Sequence, residues 1–277
     1  MIRRILVAID GTPASRVAQD LAIAIAKRQA AAVTGVGVVD RSWATAPQAV
    51  PIGGSAYKAH RDQVVLDELR HEVEAILGTF AEACRNAGIL FSTVGVEGAP
   101  AQAIENEAEG CDLIVIGKDT NFHFEAEPDM TETVARLIRE NARPVLVTSA
   151  VQPTGDKALV CYDGSVQASR AMHMFVLLGL AHDREVHLVS VAGTKEAAGA
   201  RLASAEKLFA GHEIPVHLHG TAADADAAEI ILAEADALRP GLLVMGAFGR
   251  TGLRELFLGS ATRTLLRQCH TPMFIHH

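Results

Sequence analysis

The chain is short of aromatic residues, which make up 4% of its 277 positions. A core must therefore be built from Ala, Val, Leu and Ile, and the 49% hydrophobic content supplies enough of them for a folded globular protein rather than a disordered one. The four cysteines, Cys84, Cys111, Cys161 and Cys269, show no CxxC spacing. That argues against a zinc knuckle or a disulfide framework and leaves buried free thiols as the expectation. No run approaches the roughly 20 apolar residues that span a bilayer, and no basic segment followed by an apolar run opens the sequence. Nor is there an excess of positive charge: the formal net charge is -8, which repels nucleic acid and anionic membranes at long range. The expectation is a cytoplasmic protein that partners neither nucleic acid nor membrane.

Chemical signatures are also missing. No Gly-Lys-Ser/Thr follows a glycine run, no GxGxxG follows a strand, and HExxH, GxSxG and a Ser-His-Asp order are all absent. No catalytic residue is therefore assigned. His217 and His219, two apart on an expected strand, share a face and could ligate a metal if a third ligand were near. None is visible beside them in the sequence, so they read as surface histidines and no metal site is assigned.

What is present is a repeat. "ILVAIDGTPASRVAQDLAIAIA" from Ile5 and "ALVCYDGSVQASRAMHMFVLLG" from Ala158 share a short apolar strand, an aspartate, a glycine, a hydroxyl residue and a helical run. Asp10 and Asp163 lie 153 positions apart, but Gly117 and Gly246 only 129, so the first copy carries about 24 extra residues. The Ala-, Pro-, Gly- and Ser-rich segment Asp40–His60 lacks periodicity and reads as the insertion, and Ser149–Lys157 reads as a linker. The boundaries follow as 1–149 and 157–277. In the second copy, strands are expected near 158–162, 185–191, 215–219, 242–246 and 272–276, with helices near 166–180, 195–210, 223–238 and 260–269. Strands joined by helix-length connections make a doubly wound parallel α/β sheet.

The stretch "VMGAFGRTGLRELFLGSATRTLL" from Val244 then stands where such folds bind ligands, beyond the carboxyl ends of the strands. Gly246 and Gly249 allow close backbone approach, Gly259-Ser260 opens a helix whose free amides favour an anion, and Arg250, Arg254 and Arg263 add positive charge. A simple turn before a capped helix is the plainer alternative. In the first copy Asp119, Thr120 and Asn121 replace the second glycine, and Thr131-Glu132 replaces Gly-Ser. The loop there also carries Glu125, Glu127 and Asp129, and each carboxylate would cost a bound phosphate on the order of 1 to 4 kcal/mol. Asp10 and Val38 remain, which leaves room for a nucleoside or another uncharged ligand, and the acids could instead hold Mg²⁺.

The spacing G-x2-G-x9-G-[ST], filled by Gly246, Gly249, Gly259 and Ser260, resembles the ATP-binding motif of the universal stress proteins, and the similarity runs once through each half. The resemblance implies two doubly wound parallel five-stranded sheets of the HUP (adenine nucleotide alpha hydrolase-like) kind. It further implies an intrachain pseudo-dimer in which Val145–Val147 runs antiparallel to Met273–Ile275. Carried over to this chain, it implies that Asp163 faces the nucleoside, that Val191 lies by adenine and that Met245 and Gly246 border ribose and base. Gly249, Gly259, Ser260 and Ala261 would bind phosphates. The implied function is a nucleotide-dependent regulatory module in stress, holding ATP in the second half and acting on an unidentified protein partner. The alternatives are a slow Mg²⁺-dependent ATPase and an interaction scaffold with a structural nucleotide. A homodimer of chains would need another surface, for which Trp43–Tyr57 is the candidate.

Overall fold

The computed structural model describes residues 1–47, 54–123, 130–223, 226–247 and 260–277, the side chain of Ser260 excepted. In the first half, β1 (Arg4–Ala8), α1 (Pro13–Gln29), β2 (Ala32–Val39), α2 (Arg41–Ala44), α3 (Ser55–Ala87) and β3 (Phe91–Glu97) come first. They are followed by α4 (Pro100–Glu107), β4 (Leu113–Gly117), α5 (Glu132–Glu140) and β5 (Val145–Thr148). The second half runs β6 (Lys157–Cys161), α6 (Val166–Leu177), β7 (Glu185–Ala192), α7 (Lys195–Gly211) and β8 (Val216–Ala222). It closes with α8 (Ala227–Leu238), β9 (Leu242–Gly246), α9 (Ser260–Gln268) and β10 (Met273–His276). Every strand and helix expected of the second copy forms within a few residues of its expected bounds.

The ten strands of the described residues belong to one sheet, in the order β3-β2-β1-β4-β5-β10-β9-β6-β7-β8. Each half is parallel, with the order 3-2-1-4-5, because each connection passes through a helix that covers one face. The halves meet at an antiparallel pair, Val145–Val147 against Ile275–Met273, as expected. The central strands are apolar along their whole length, as double-sided burial requires. One buried cluster on each face contains residues of both halves: Val7, Leu146, Phe175 and Phe274 on one, Ile116, Val147, Leu243 and Ile275 on the other. Ser149 of the connecting segment is tied down as well, its hydroxyl donating to the His270 carbonyl at 2.7 Å.

The insertion differs from its expected form. Residues 48–53 lie outside the described residues, but Asp40 caps α2 by accepting from the Trp43 amide, and Ser55 already begins α3. That helix has 33 residues against 17 in its counterpart α7. Leu66, Leu69, Val73, Leu77, Phe80 and Cys84 recur every three or four residues along it, a buried stripe over the β2–β3 side of the sheet. Among the described residues no helix is long and apolar enough to cross a membrane.

A sheet shared by both halves should unfold as a unit. Trp43, the single tryptophan, reports on the first half, and alkylation of the buried Cys161 and Cys269 reports on the second. Their urea midpoints should coincide, and both should fall together in Phe274→Ala, which removes a fully buried ring and costs about 3–5 kcal/mol. Separate midpoints would show the halves to be independent.

Candidate functional site

The strand order reverses between β6 and β9 in the second half, and between β1 and β4 in the first, so each half has one crevice at the carboxyl ends of those strands. In the second half β6 delivers Asp163 just past its end. The turn that follows needs positive φ, found at Gly164 with +82°, and Ser165 then caps α6 by accepting from the Ala168 amide at 3.1 Å. Capping is thus the task of Ser165, not Asp163. Asp163 Oδ1 accepts from the Ser165 amide at 2.9 Å, and no described residue takes its Oδ2.

The cleft beside it is lined by Asp163, Val191, Met245, Gly246 and Ala261, five of the residues expected there. Gly249, Arg250 and Gly259 lie outside the described residues, and Ser260 is placed as the first residue of α9. Several lining residues escaped sequence reasoning: Cys161, Val189, Ile231 and Leu265 form its apolar wall, and Thr262 anchors its floor by donating to the Ala247 carbonyl at 2.9 Å. The periodicity of α8 and α9 could have marked Ile231 and Leu265 as inward-facing. Burial pushes the Cys161 thiol well up, so it stays protonated and serves as packing, not as a nucleophile. Arg201 of α7 donates to the Val191 carbonyl at 2.9 Å, at the end of β7.

Gly246 has a packing task besides lining the cleft. A Cβ there would meet the Ala168 amide nitrogen at 2.5 Å, so the glycine lets the start of α6 lie against the end of β9. Gly117 is the same case, with the Ser15 amide nitrogen at 2.6 Å. This explains why it is retained in the first half while the rest of the glycine pattern is lost.

The first-half crevice is filled by its own loop. Asp10 Oδ2 accepts from the Asn121 amide at 2.9 Å and from the Phe122 amide at 3.5 Å, while Oδ1 accepts from the Thr12 amide at 3.1 Å. Phe122, with φ of +63°, is fully buried. Ala8, Val36, Val38, Ile104, Ile116 and Leu137 share one buried cluster with it. Those six correspond in the repeat to Cys161, Val189, Val191, Ile231, Met245 and Leu265, which line the open cleft of the second half. The nucleoside room that Asp10 and Val38 suggested is therefore taken. Residues 124–129, with the acids that could hold Mg²⁺, lie outside the described residues.

A small network fastens this plug. His123 Nε2 lies 3.0 Å from Asp40 Oδ2, and its ring stacks on Trp43 at 4.7 Å, so Trp43 is engaged within its own half. Burial pushes the Asp40 carboxyl up, but the His123 bond and the Trp43 amide outweigh it and hold it below its ordinary value. Thr12 Oγ1 sits 2.8 Å from Asp10 Oδ1 and 3.0 Å from Asp119 Oδ1. One hydroxyl proton serves only one of these carboxylates, so the other contact is satisfied when Asp119 carries a proton. Burial first, and the Asp10 charge after it, raise the Asp119 carboxyl in that direction.

Comparison with known proteins agrees with this geometry. The model of the Universal stress protein family matches residues 1–148 and again 155–277. The chain is 26% identical to universal stress protein Slr1230 of Synechocystis sp., over 98% of this chain and 99% of that one. It is 32% identical to universal stress protein YxiE of Bacillus subtilis over 123 residues, 42% of this chain and 79% of that one. The fold is similar to the crystal structure of a universal stress protein from Archaeoglobus fulgidus, with a TM-score of 0.74 at 19% identity, covering 99% and 97% of the two chains.

Two measurements check the plug. Phe122→Ala should cost about 3–5 kcal/mol of stability in urea, as for a core aromatic, and a loss below about 1 kcal/mol would mean that the ring is not packed. Asp119 has a folded pKa raised above its unfolded one, so its contribution is complete below the ordinary value of about 3.9 and is lost as pH rises through the folded value. Asp119→Asn should therefore raise the Tm at pH 7, with the gain shrinking on acidification. A lower Tm at pH 7 would contradict the assignment.

Proposed function

The chain belongs to the universal stress protein family, each half matching it once, and from that premise we propose that it is a nucleotide-dependent regulatory protein holding one adenine nucleotide, ATP, in its second half. The observation that carries this reading is the contrast between two equivalent aspartates: Asp10 has both oxygens taken by its own chain, whereas among the described residues none takes Oδ2 of Asp163, which lines the cleft. A ribose hydroxyl is the matching donor. Adenine would lie on the apolar wall of Val191, Met245, Ile231 and Leu265, where burying a flat ring is favourable.

The phosphates would lie toward the amino end of α9, where the free amides of Ser260 and Ala261 and the helix dipole favour negative charge and Arg263 follows one turn on. Gly249, Arg250 and Gly259, expected from the sequence to bind phosphates, would complete the cradle, with Mg²⁺ as the counter-ion a triphosphate brings. Among the described lining residues Asp163 is the single carboxylate, and its place by the ribose suits binding, not attack on a phosphate. Occupancy would change the surface presented around the cleft, and that change is the signal offered to a partner protein.

Calorimetric titration of the purified chain with ATP should give one site per chain. Asp163→Ala should weaken it by on the order of 10-fold or more, the worth of a hydrogen bond to a charged group. Gly259→Val should abolish it with the Tm of the unliganded protein retained. Two equivalent sites, or binding indifferent to Asp163, would overturn the reading, and steady phosphate release at stoichiometric occupancy would replace regulation by turnover.

A further inference from the structure

His217 and His219 do have further ligands beside them, on the neighbouring strand. The register of β7 and β8 sets His187 against His217 and Val189 against His219, so all of these side chains project from one face. Glu185, two residues before His187, joins them, and one ligand atom from each of Glu185, His187 and His217 falls within 4.8 Å of the others. Glu185 Oε1 lies 2.8 Å from His187 Nε2 and 3.6 Å from His217 Nε2, and the two rings are stacked. A tetrahedral ion with bonds near 2.1 Å separates its ligands by about 3.4 Å, which lies between these two distances.

The proton count favours an ion in the middle. His187 Nδ1 lies 2.9 Å from His219 Nε2, and His219 Nδ1 lies 3.8 Å from Glu234 Oε2 of α8. If His187 Nε2 carries its proton toward Glu185, Nδ1 must accept from His219 Nε2, and a neutral His219 then turns a lone pair toward the Glu234 carboxylate. With a metal on His187 Nε2 the chain runs the other way. His187 Nδ1–H donates to His219 Nε2, and His219 Nδ1–H then faces the Glu234 carboxylate, the carboxylate-backed arrangement that orients metal-bound imidazoles. His187 is buried, while the His217 side chain is 61% exposed, so an ion can enter from solvent and keep an open position. Lys157 Nζ, 3.9 Å from Glu185 Oε1, is the competing cation.

We propose that Glu185, His187 and His217 form a site for a divalent transition-metal ion of the zinc class, with His219 hydrogen-bonded behind His187 and the Glu234 carboxylate behind His219. Two imidazoles and a carboxylate suit zinc chemistry. Val191, at the nucleotide cleft, lies four residues beyond His187, about 13 Å along β7. The ion would clip the edge strand β8 to β7 at the end of the sheet opposite the cleft.

The test is a titration of the full chain, stripped with EDTA, with Zn²⁺ against a chromophoric chelator. One saturable site per chain is expected. It should weaken about 100-fold or more in His217→Ala and in Glu185→Gln, and about 10-fold in Glu234→Gln, which touches no metal. Substitution with Co²⁺ should give the visible absorption of a four-coordinate ion in the native chain and not in His217→Ala. His277→Ala, at the terminal histidines, should leave the affinity unchanged. The proposal is overturned if the stripped chain shows no saturable site, or if His217→Ala, shown folded by circular dichroism, binds Zn²⁺ as tightly as the native chain.

Discussion

Two four-residue strands, β5 and β10, hold the molecule together as one object. Each would be a bare edge in a separate domain, with a row of unpaired amides and carbonyls and apolar side chains on both faces. Their antiparallel pairing removes both edges at once and makes two five-stranded sheets into one of ten strands. The buried clusters then run across the junction on both faces, with Phe274 packed against Phe175 at 6.3 Å between ring centroids. The two crevices are fixed in relation to each other as a result, one on either side of the junction.

Within that frame the same backbone serves two ends. In both halves an aspartate follows the first strand, a glycine turns the chain, a hydroxyl residue caps the helix, and a glycine at the end of the fourth strand admits that helix. What differs is the occupant. In the first half Phe122 and the amides around it supply the apolar surface and donors from within the chain, and a latch of His123, Asp40 and Trp43 holds them. A buried carboxylate needs partners, and the chain provides them where no ligand is to be bound. Among the described residues of the second half, none covers the equivalent wall and none takes the equivalent oxygen. In the reading proposed above, a sheet shared by both halves lets one serve as structure while the other responds.

Much of this was legible in the sequence because the repeat and the strand pattern are local properties. Asp10 with Asp163 and Gly117 with Gly246 align the halves, and alternating strands and helices admit few topologies. The loss of glycines and gain of acids in the first copy was readable as well. The filling of its crevice was not, because the fate of Phe122 depends on a loop with no periodicity and a residue at positive φ. The helical continuation of α3 from Ser55 was hidden by glycine and proline just before it. Glu185 and His187 stand about 30 residues from His217 and His219, and only strand register brings them together.

The central claim is that the second half is built to receive a nucleotide in its switch-point crevice and that Phe122 fills the equivalent crevice of the first half. A crystal structure of the chain grown with excess ATP and Mg²⁺ tests it most directly. The contrast between Asp163 and Asp10 predicts a single nucleotide per chain, its adenine on Val191 and Met245 and its ribose at Asp163, with Phe122 still buried beside Val38. Nucleotide in the first half, with Phe122 displaced from its pocket, would contradict it.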